Sequence, residues 1–355
     1  MADLKNTTID DTGFLELPSG TTAQRPSNPQ AGMIRWNTDQ EAAELYDGTE
    51  WGPLVEIPII ATGGTVSEVT INGEDYRIHA FTSTGTNTFT VNSLGTTDGE
   101  VEYLIVAGGG GGGWGGSDGG GGGGAGGLVF GKVKLSETSH SIIVGDGGSR
   151  GPASDGTTGG SGGNSSIAGI IAKGGGGGGA RDTVGVDGGS AGGSGQNITS
   201  GSGEATQPGT NSSAILDAGH GTPTPDANTS YGVGGGGAGE PGQTGTGVDG
   251  SRGGDGLNEF SVGGVVYNLS QIFGTQYGEI INGESWFAGG GGGSDDANGN
   301  DSQRGGLGGG GDTFTSGNTS DDGLPNTGGG GGGAPRSGAP GAGGSGIVIV
   351  RYRIG

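Results

Sequence analysis

Apolar and polar positions alternate in short runs along this chain, and no segment carries the longer period of a convincing amphipathic helix. Between residues 56 and 106, the runs Val66–Ile71, Tyr76–Phe81, Thr88–Val91 and Val101–Ala107 are rich in Val, Ile, Thr and Phe and are parted by Gly-, Asn- and Asp-bearing turns. This pattern predicts strands. Asn72-Gly73 has the chemistry of a two-residue hairpin turn, which needs positive φ at both positions. Upstream, Gly32–Asn37 and Glu44–Trp51 predict two short strands joined by a polar turn over Thr38–Glu41. Trp36, Tyr46, Leu45 and Trp51 exceed what so small a hairpin buries alone, so self-association of chains is expected, with Trp36, Tyr46 and Trp51 as the oligomerisation and attachment residues.

Beyond residue 107 the pattern changes. Nearly pure glycine runs occupy Gly108–Gly113, Gly119–Gly124, Gly174–Gly179, Gly234–Gly237, Gly289–Gly293, Gly308–Gly311 and Gly328–Gly333. Between them lie short apolar pieces, Ile142–Val144 and Ile167–Ala172, and after them a terminal strand from Ile347 to Tyr352 that is expected to close the domain. The fold class expected is all-β. The divisions are an N-terminal module over 1–55, a strand region over 56–106 and a glycine-rich region over 107–355.

The glycine runs admit four physical readings. A flexible linker would mix serine with glycine and would not recur between β-branched strands. Collagen needs glycine at every third position with abundant proline, whereas these glycines are contiguous and proline totals 13. A phosphate loop needs a helix after the glycines, and Trp114–Gly119 cannot begin one. The fourth reading is a bundle of polyproline-II helices made of glycine, each six-residue run spanning roughly 19 Å. An isolated helix of that kind bonds nothing internally, and its N–H and C=O groups point outward in three directions. Interior runs must then be satisfied by close neighbours, which a Cβ would hold apart.

Composition agrees, with 99 glycines, 28% hydrophobic and 5% aromatic residues in 355. A side-chain core can serve only part of such a chain. The net charge of −23 opposes nucleic acid and anionic membranes as partners. The absence of cysteine excludes disulfides and thiolate chemistry. No apolar stretch is long enough to span a bilayer, and the N-terminus lacks the pattern of a secretory leader, so release inside a particle on cell lysis is the expected route outward.

Specific motifs now carry a resemblance. Tyr103–Ala107 running into Gly108–Gly113, Ile142–Gly148, Gly163–Ile167, Ala172–Gly179 and the closing Gly344–Tyr352 resemble the glycine-rich domain recurrent in tailed-phage tail proteins, over roughly residues 100–355. The arrangement is similar in principle to the tip adhesins of T-even-like phages, in which glycine helices form a packed sandwich and loops contact the host. Residues 20–54 also resemble a short module common in phage virion proteins. The resemblance implies a virion fibre or receptor-binding protein, a homotrimer joined to other virion proteins through its N-terminus. Its target would be a surface polysaccharide or an outer-membrane protein of the host. A passive part of tail, collar or capsid fibre is the alternative.

If the glycine bundle is a platform, recognition belongs to the linking segments. Residues 255–288 hold Phe260, Tyr267, Phe273, Tyr277, Trp286 and Phe287, nearly a third of the aromatic residues. Such rings stack on sugars, and they equally make a small core beneath a β-excursion. Tyr277 and Trp286 are the preferred exposed candidates for receptor binding, ahead of Tyr267, Phe273 and Phe287. Trp114 either caps the bundle or reaches a ligand. Asp295–Asp301 offers oxygen ligands but departs from the EF-hand pattern, so no metal and no cofactor are expected. His79, His140 and His220 are scattered and no nucleophile or zinc motif accompanies them, so no catalytic residue is assigned. A polysaccharide depolymerase built on paired carboxylates is the remaining enzymatic reading.

Overall fold

The computed structural model describes residues 13–116, 119–152, 157–198, 201–207, 218–224, 231–245, 251–294, 303–313, 319–334 and 338–355. The architecture is all-β. A four-stranded N-terminal sheet is formed by β1 (Ser19–Gly20), β2 (Ile34–Asn37), β3 (Ala42–Tyr46) and β4 (Trp51–Pro53), in that order. A β2–β3 hairpin lies where one was expected, but Glu44–Trp51 is not a single strand: β3 ends at Tyr46, the Asp47 carboxylate accepts from the N–H groups of Thr49 and Glu50 to hold a turn, and Trp51 begins the edge strand β4.

Next come β5 (Ile60–Thr62), β6 (Thr65–Ile71), β7 (Glu74–Phe81), β8 (Gly85–Ser93), β9 (Glu100–Val106), β10 (Leu128–Lys134), β11 (Ser139–Val144), β12 (Ser165–Ile167), β13 (Ile170–Ala172) and β14 (Ala218–His220). The excursion contributes β15 (Glu259–Val262), β16 (Val265–Asn268), the single-turn α1 (Leu269–Phe273), β17 (Glu279–Ile281) and β18 (Glu284–Trp286), and β19 (Ile347–Arg353) ends the chain. A six-stranded sheet has the order β14-β10-β9-β19-β7-β6 and a five-stranded sheet the order β13-β12-β11-β8-β5. The piece Ile167–Ala172, expected to be one run, is a hairpin whose turn residues Ala168 and Gly169 have φ of 50° and 82°.

The terminal strand lies inside the six-stranded sheet, paired to β7 on one side and β9 on the other. Its apolar run is continuous because both faces are covered. Val348, Val350 and Tyr352 pack with Phe81, Phe89, Tyr103, Ile105 and Ile142 between the two sheets. Ile347 and Ile349 face the other way, with Leu104, Leu128, Phe130 and the excursion's Phe260, Leu269 and Phe273. Burial of this kind contributes about 25 cal/mol per Å² of apolar surface, so these two layers carry the hydrophobic stabilisation of the molecule.

The glycine runs form the packed bundle. The N–H groups of Gly108 and Gly111 donate to Gly163 and Gly160, those of Gly109 and Gly112 to Gly344 and Gly341, and those of Gly110 and Gly113 to Gly124 and Gly121, at 2.8–3.0 Å. The carbonyls of the same residues accept, again every third residue, from Gly175 and Gly178, from Gly148 and Gly151, and from Gly331 and Ala334. A three-residue period with six neighbouring runs is the polyglycine-II arrangement, and it pairs every backbone group of Gly108–Gly113. A Cβ on Gly110 would stand 2.1 Å from the Gly176 oxygen and one on Gly112 2.1 Å from the Gly332 oxygen. None of the six has positive φ, so it is the missing Cβ that matters here, not conformational freedom.

Runs at the rim need glycine only where they face inward. Gly145, Gly148 and Gly151 keep the period of three and are buried, while Asp146, Ser149 and Arg150 between them are exposed. Several runs are direct extensions of sheet strands. Gly108 follows β9, the run ending at Gly127 enters β10, and Gly344–Gly346 enter β19. The antiparallel pairing of β9 with both neighbours thus continues, residue for residue outward, as the bonds of Gly109 and Gly110 to Gly344 and Gly124.

Candidate functional site

The N-terminal sheet has its polarity reversed. Facing residues in the antiparallel register share a side of a sheet, so Arg35, Asn37, Glu44, Tyr46 and Trp51 lie on one face and Ile34, Trp36, Ala43 and Leu45 on the other. The polar face is the covered one. Thr21–Arg25 lies across it, with Arg35 Nη2 donating to the Thr21 carbonyl at 3.1 Å and Arg25 Nη2 to Glu44 at 2.6 Å. Glu44 is fully buried and also accepts from Asn37 Nδ2 at 3.0 Å. Burial raises its pKa, but the hydrogen bonds from Arg25 and Asn37 and the charges of Arg25 and Arg35 outweigh it, leaving the carboxyl below the usual 4.5.

The opposite face is apolar and open, with Ile34 and Trp36 each 41% exposed. Phe14, Leu15, Leu54 and Val55 flank the sheet and are also exposed. Of the three expected attachment residues, Tyr46 and Trp51 pair across β3 and β4 with centroids 5.5 Å apart, while Trp36 stands alone on the far side. The Trp51 indole N–H is buried and has no partner among the described residues.

The aromatic excursion is built from two tight hairpins around α1. Gly263-Gly264 and Asn282-Gly283 have positive φ at both positions, as two-residue hairpins require. Asn268 caps α1 by accepting from the Gln271 N–H at 3.0 Å, and Leu257 and Phe287 close the base by exchanging backbone hydrogen bonds. Phe130 of β10 is surrounded by the rings of Phe260, Tyr267 and Phe273 at 5.2, 5.4 and 6.1 Å. These rings therefore make the small core that was the second reading. Phe273 and Phe287 are each 1% exposed, which corrects their placement as surface contacts. Tyr267, Tyr277 and Trp286 are half-buried, so the two preferred candidates show only part of their surface.

Trp114 is half-buried at the end of the first glycine run, bridged to Ala334, and its indole N–H is buried without a partner among the described residues. His79 is wholly buried, with Nδ1 2.7 Å from the Gly63 carbonyl and Nε2 3.0 Å from the Tyr352 hydroxyl. Burial pushes its pKa down and the Gly63 carbonyl only partly opposes this, so the ring is a neutral structural link: Nδ1–H donates and Nε2 accepts. His140 Nε2 lies 2.9 Å from the Ser136 carbonyl, on another strand. Asp321 is pushed above its usual range by burial and by the charges of Asp312 and Asp322. The segment Asp295–Asp301 lies outside the described residues. No helix among the described residues is long and apolar enough to cross a membrane.

A sequence model of a family described as a glycine-rich domain matches residues 82–353. None of the curated proteins compared with the chain matches it.

Proposed function

We propose that this chain, which belongs to the glycine-rich domain family, is a non-catalytic attachment protein of a bacteriophage virion, a fibre or tip adhesin. It would hold other virion proteins through its N-terminal module and a host surface polysaccharide or outer-membrane protein through its distal segments. The observation that carries this reading is the division of labour in the fold. The bundle is ordered chiefly by backbone hydrogen bonds, with the buried side chains of Ser190, Gln196 and Ser294 already bonded to its glycine runs, so chemistry toward a ligand belongs to the strands and segments at its margins. A rigid platform with decorated margins suits binding.

The reversed N-terminal sheet supports self-association. Ile34 and Trp36 on an open, uncharged face are surface that a second and third copy would cover, in a chain whose charge of −23 opposes close approach elsewhere. A homotrimer is the assembly this reading favours.

The test is adsorption of labelled protein to a panel of candidate host cells, with solution mass measured in parallel. Saturable adsorption and a trimeric mass reduced by Trp36→Asp are expected. A folded protein that adsorbs to no cell would overturn the adhesin reading in favour of a passive tail, collar or capsid component. Release of reducing sugar ends from host polysaccharide would replace it with a depolymerase.

A further inference from the structure

Beside the excursion, three hollows share walls one after another. The first, of about 570 Å³, lies between the β6–β7 turn and the segment from Ser270 to Gln276. It shares Asn72 and Gln271 with a second of about 270 Å³, which in turn shares Tyr76 and Arg351 with a third of about 180 Å³ reaching Lys132. Together they form one open groove along the end of β6, β7, β16 and α1. It joins parts of the chain that are far apart in sequence, and neither the glycine bundle nor the sheet core uses it.

The chemistry of the groove is specific. Tyr76 and Tyr267 are half-buried, and neither hydroxyl has a hydrogen-bond partner among the described residues. Arg351 lies 4.2 Å over the Tyr76 ring and fixes it in place. That guanidinium is already neutralised by Glu102 and bonded to the Ile272 carbonyl, and the Lys132 ammonium is held by Glu100 and Glu102 at 3.3 and 3.4 Å. Arg353, which also lines the third hollow, is paired with Glu56 and Glu74, so all three cations are occupied and an anionic ligand finds none free among the described residues. What remains is the half-buried rings of Tyr76 and Tyr267, the amides of Asn72 and Gln271, and the exposed Val266 beside Tyr267, the Glu74 carboxylate being paired with Arg353. Hydroxyl-rich, uncharged rings fit this set: their C–H faces stack on tyrosine, and their hydroxyls donate to the amide oxygens of Asn72 and Gln271 and accept from the amide N–H groups.

Resting on the attachment reading, we infer that this groove is a binding site for a neutral oligosaccharide, placed by Tyr76, Tyr267, Asn72 and Gln271. Catalysis is no part of it. The aromatic residues that matter are then Tyr76 and Tyr267, and the buried Phe273 and Phe287 form the support beneath.

The experiment is a printed array of neutral hexose and N-acetylhexosamine oligosaccharides alongside sialic- and uronic-acid ones. It is probed with the intact protein and with Gln271→Ala and Tyr76→Ala variants, folding of each being checked by thermal melting. Saturable binding to neutral glycans is expected, weakened about tenfold by Tyr76→Ala and less by the exposed Gln271→Ala. Binding confined to acidic glycans, or neutral binding that neither variant changes, overturns the site. Cell adsorption separates this from the broader reading. Adsorption that both variants retain and that protease treatment of the cells removes leaves an adhesin with a protein receptor and sinks the groove.

Discussion

The two-sheet sandwich and the glycine bundle are ordered by opposite means. In the sandwich, Phe89, Tyr103 and Phe130 exclude water and the backbone ladder is regular. In the bundle, buried glycines contribute no side chain, and order rests on N–H and carbonyl groups that each find a partner on a different neighbouring run. Glycine loses more conformational entropy on folding than any other residue, so the bundle is the more expensive structure to order and could not be expected to nucleate alone. The sandwich offsets that cost by delivering run after run already in register, since β9, β10 and β19 continue directly into bundle runs. Side chains build the template and backbone hydrogen bonds extend it.

Perturbing each region by its own logic separates them. Phe130→Ala removes the ring at the centre of the excursion's contacts and is expected to destabilise the chain by about 3–5 kcal/mol in chemical denaturation. Gly123→Ala, which adds only a methyl group, places a Cβ 2.0 Å from the Gly110 oxygen and is expected to cost about 3 kcal/mol. The same change at Gly52 meets nothing within 4 Å at an ordinary φ, and should stay within about 0.5 kcal/mol. If Gly123 tolerated alanine as Gly52 does, close packing would not be what demands glycine.

Between these extremes lies a pH effect confined to the sandwich. The folded pKa of His79 is held below 6.5, so below that value the unfolded chain binds the extra proton more readily. The contribution is present in full above about pH 6.5 and is lost as pH falls through the folded pKa. Melting temperature is therefore expected to decline on acidification from about pH 7 to about pH 5. His79→Asn should flatten that slope even though it lowers stability throughout.

Much of the fold was legible in the pattern of residues. The runs at Val66–Ile71, Tyr76–Phe81 and Val101–Ala107 and the Asn72-Gly73 turn became strands and a hairpin because alternation and turn chemistry act locally. The bundle was legible because contiguous glycine between β-branched strands has few physical uses. β10 was missed: Gly131 interrupts its apolar run, and only pairing with β9 makes it a strand. The Gly263-Gly264 and Asn282-Gly283 hairpins carried a visible turn signal, but their flanking strands are only three or four residues long. A glycine at every third place, as at Gly145, Gly148 and Gly151, was a further signal marking the bundle's rim.

The candidate sites were legible only in part, because a surface is a property of packing. That Trp36 opposes Tyr46 and Trp51 across the sheet depends on the registers of β3 with β2 and with β4. The burial of Phe273 and Phe287 depends on Phe130, far upstream. The groove joins Asn72 to Gln271, which no local pattern brings together.

The most direct test of the bundle is hydrogen exchange of the native protein resolved at single glycine amides. The amides of Gly110, Gly123 and Gly291 donate to Gly124, Gly331 and Gly123 at 2.8 Å, and are expected to be protected as strongly as those of β9 and β19. Exchange of these amides at unfolded-chain rates, with β9 and β19 still protected, would contradict an ordered bundle and leave the glycine runs as tethers around a β-sandwich.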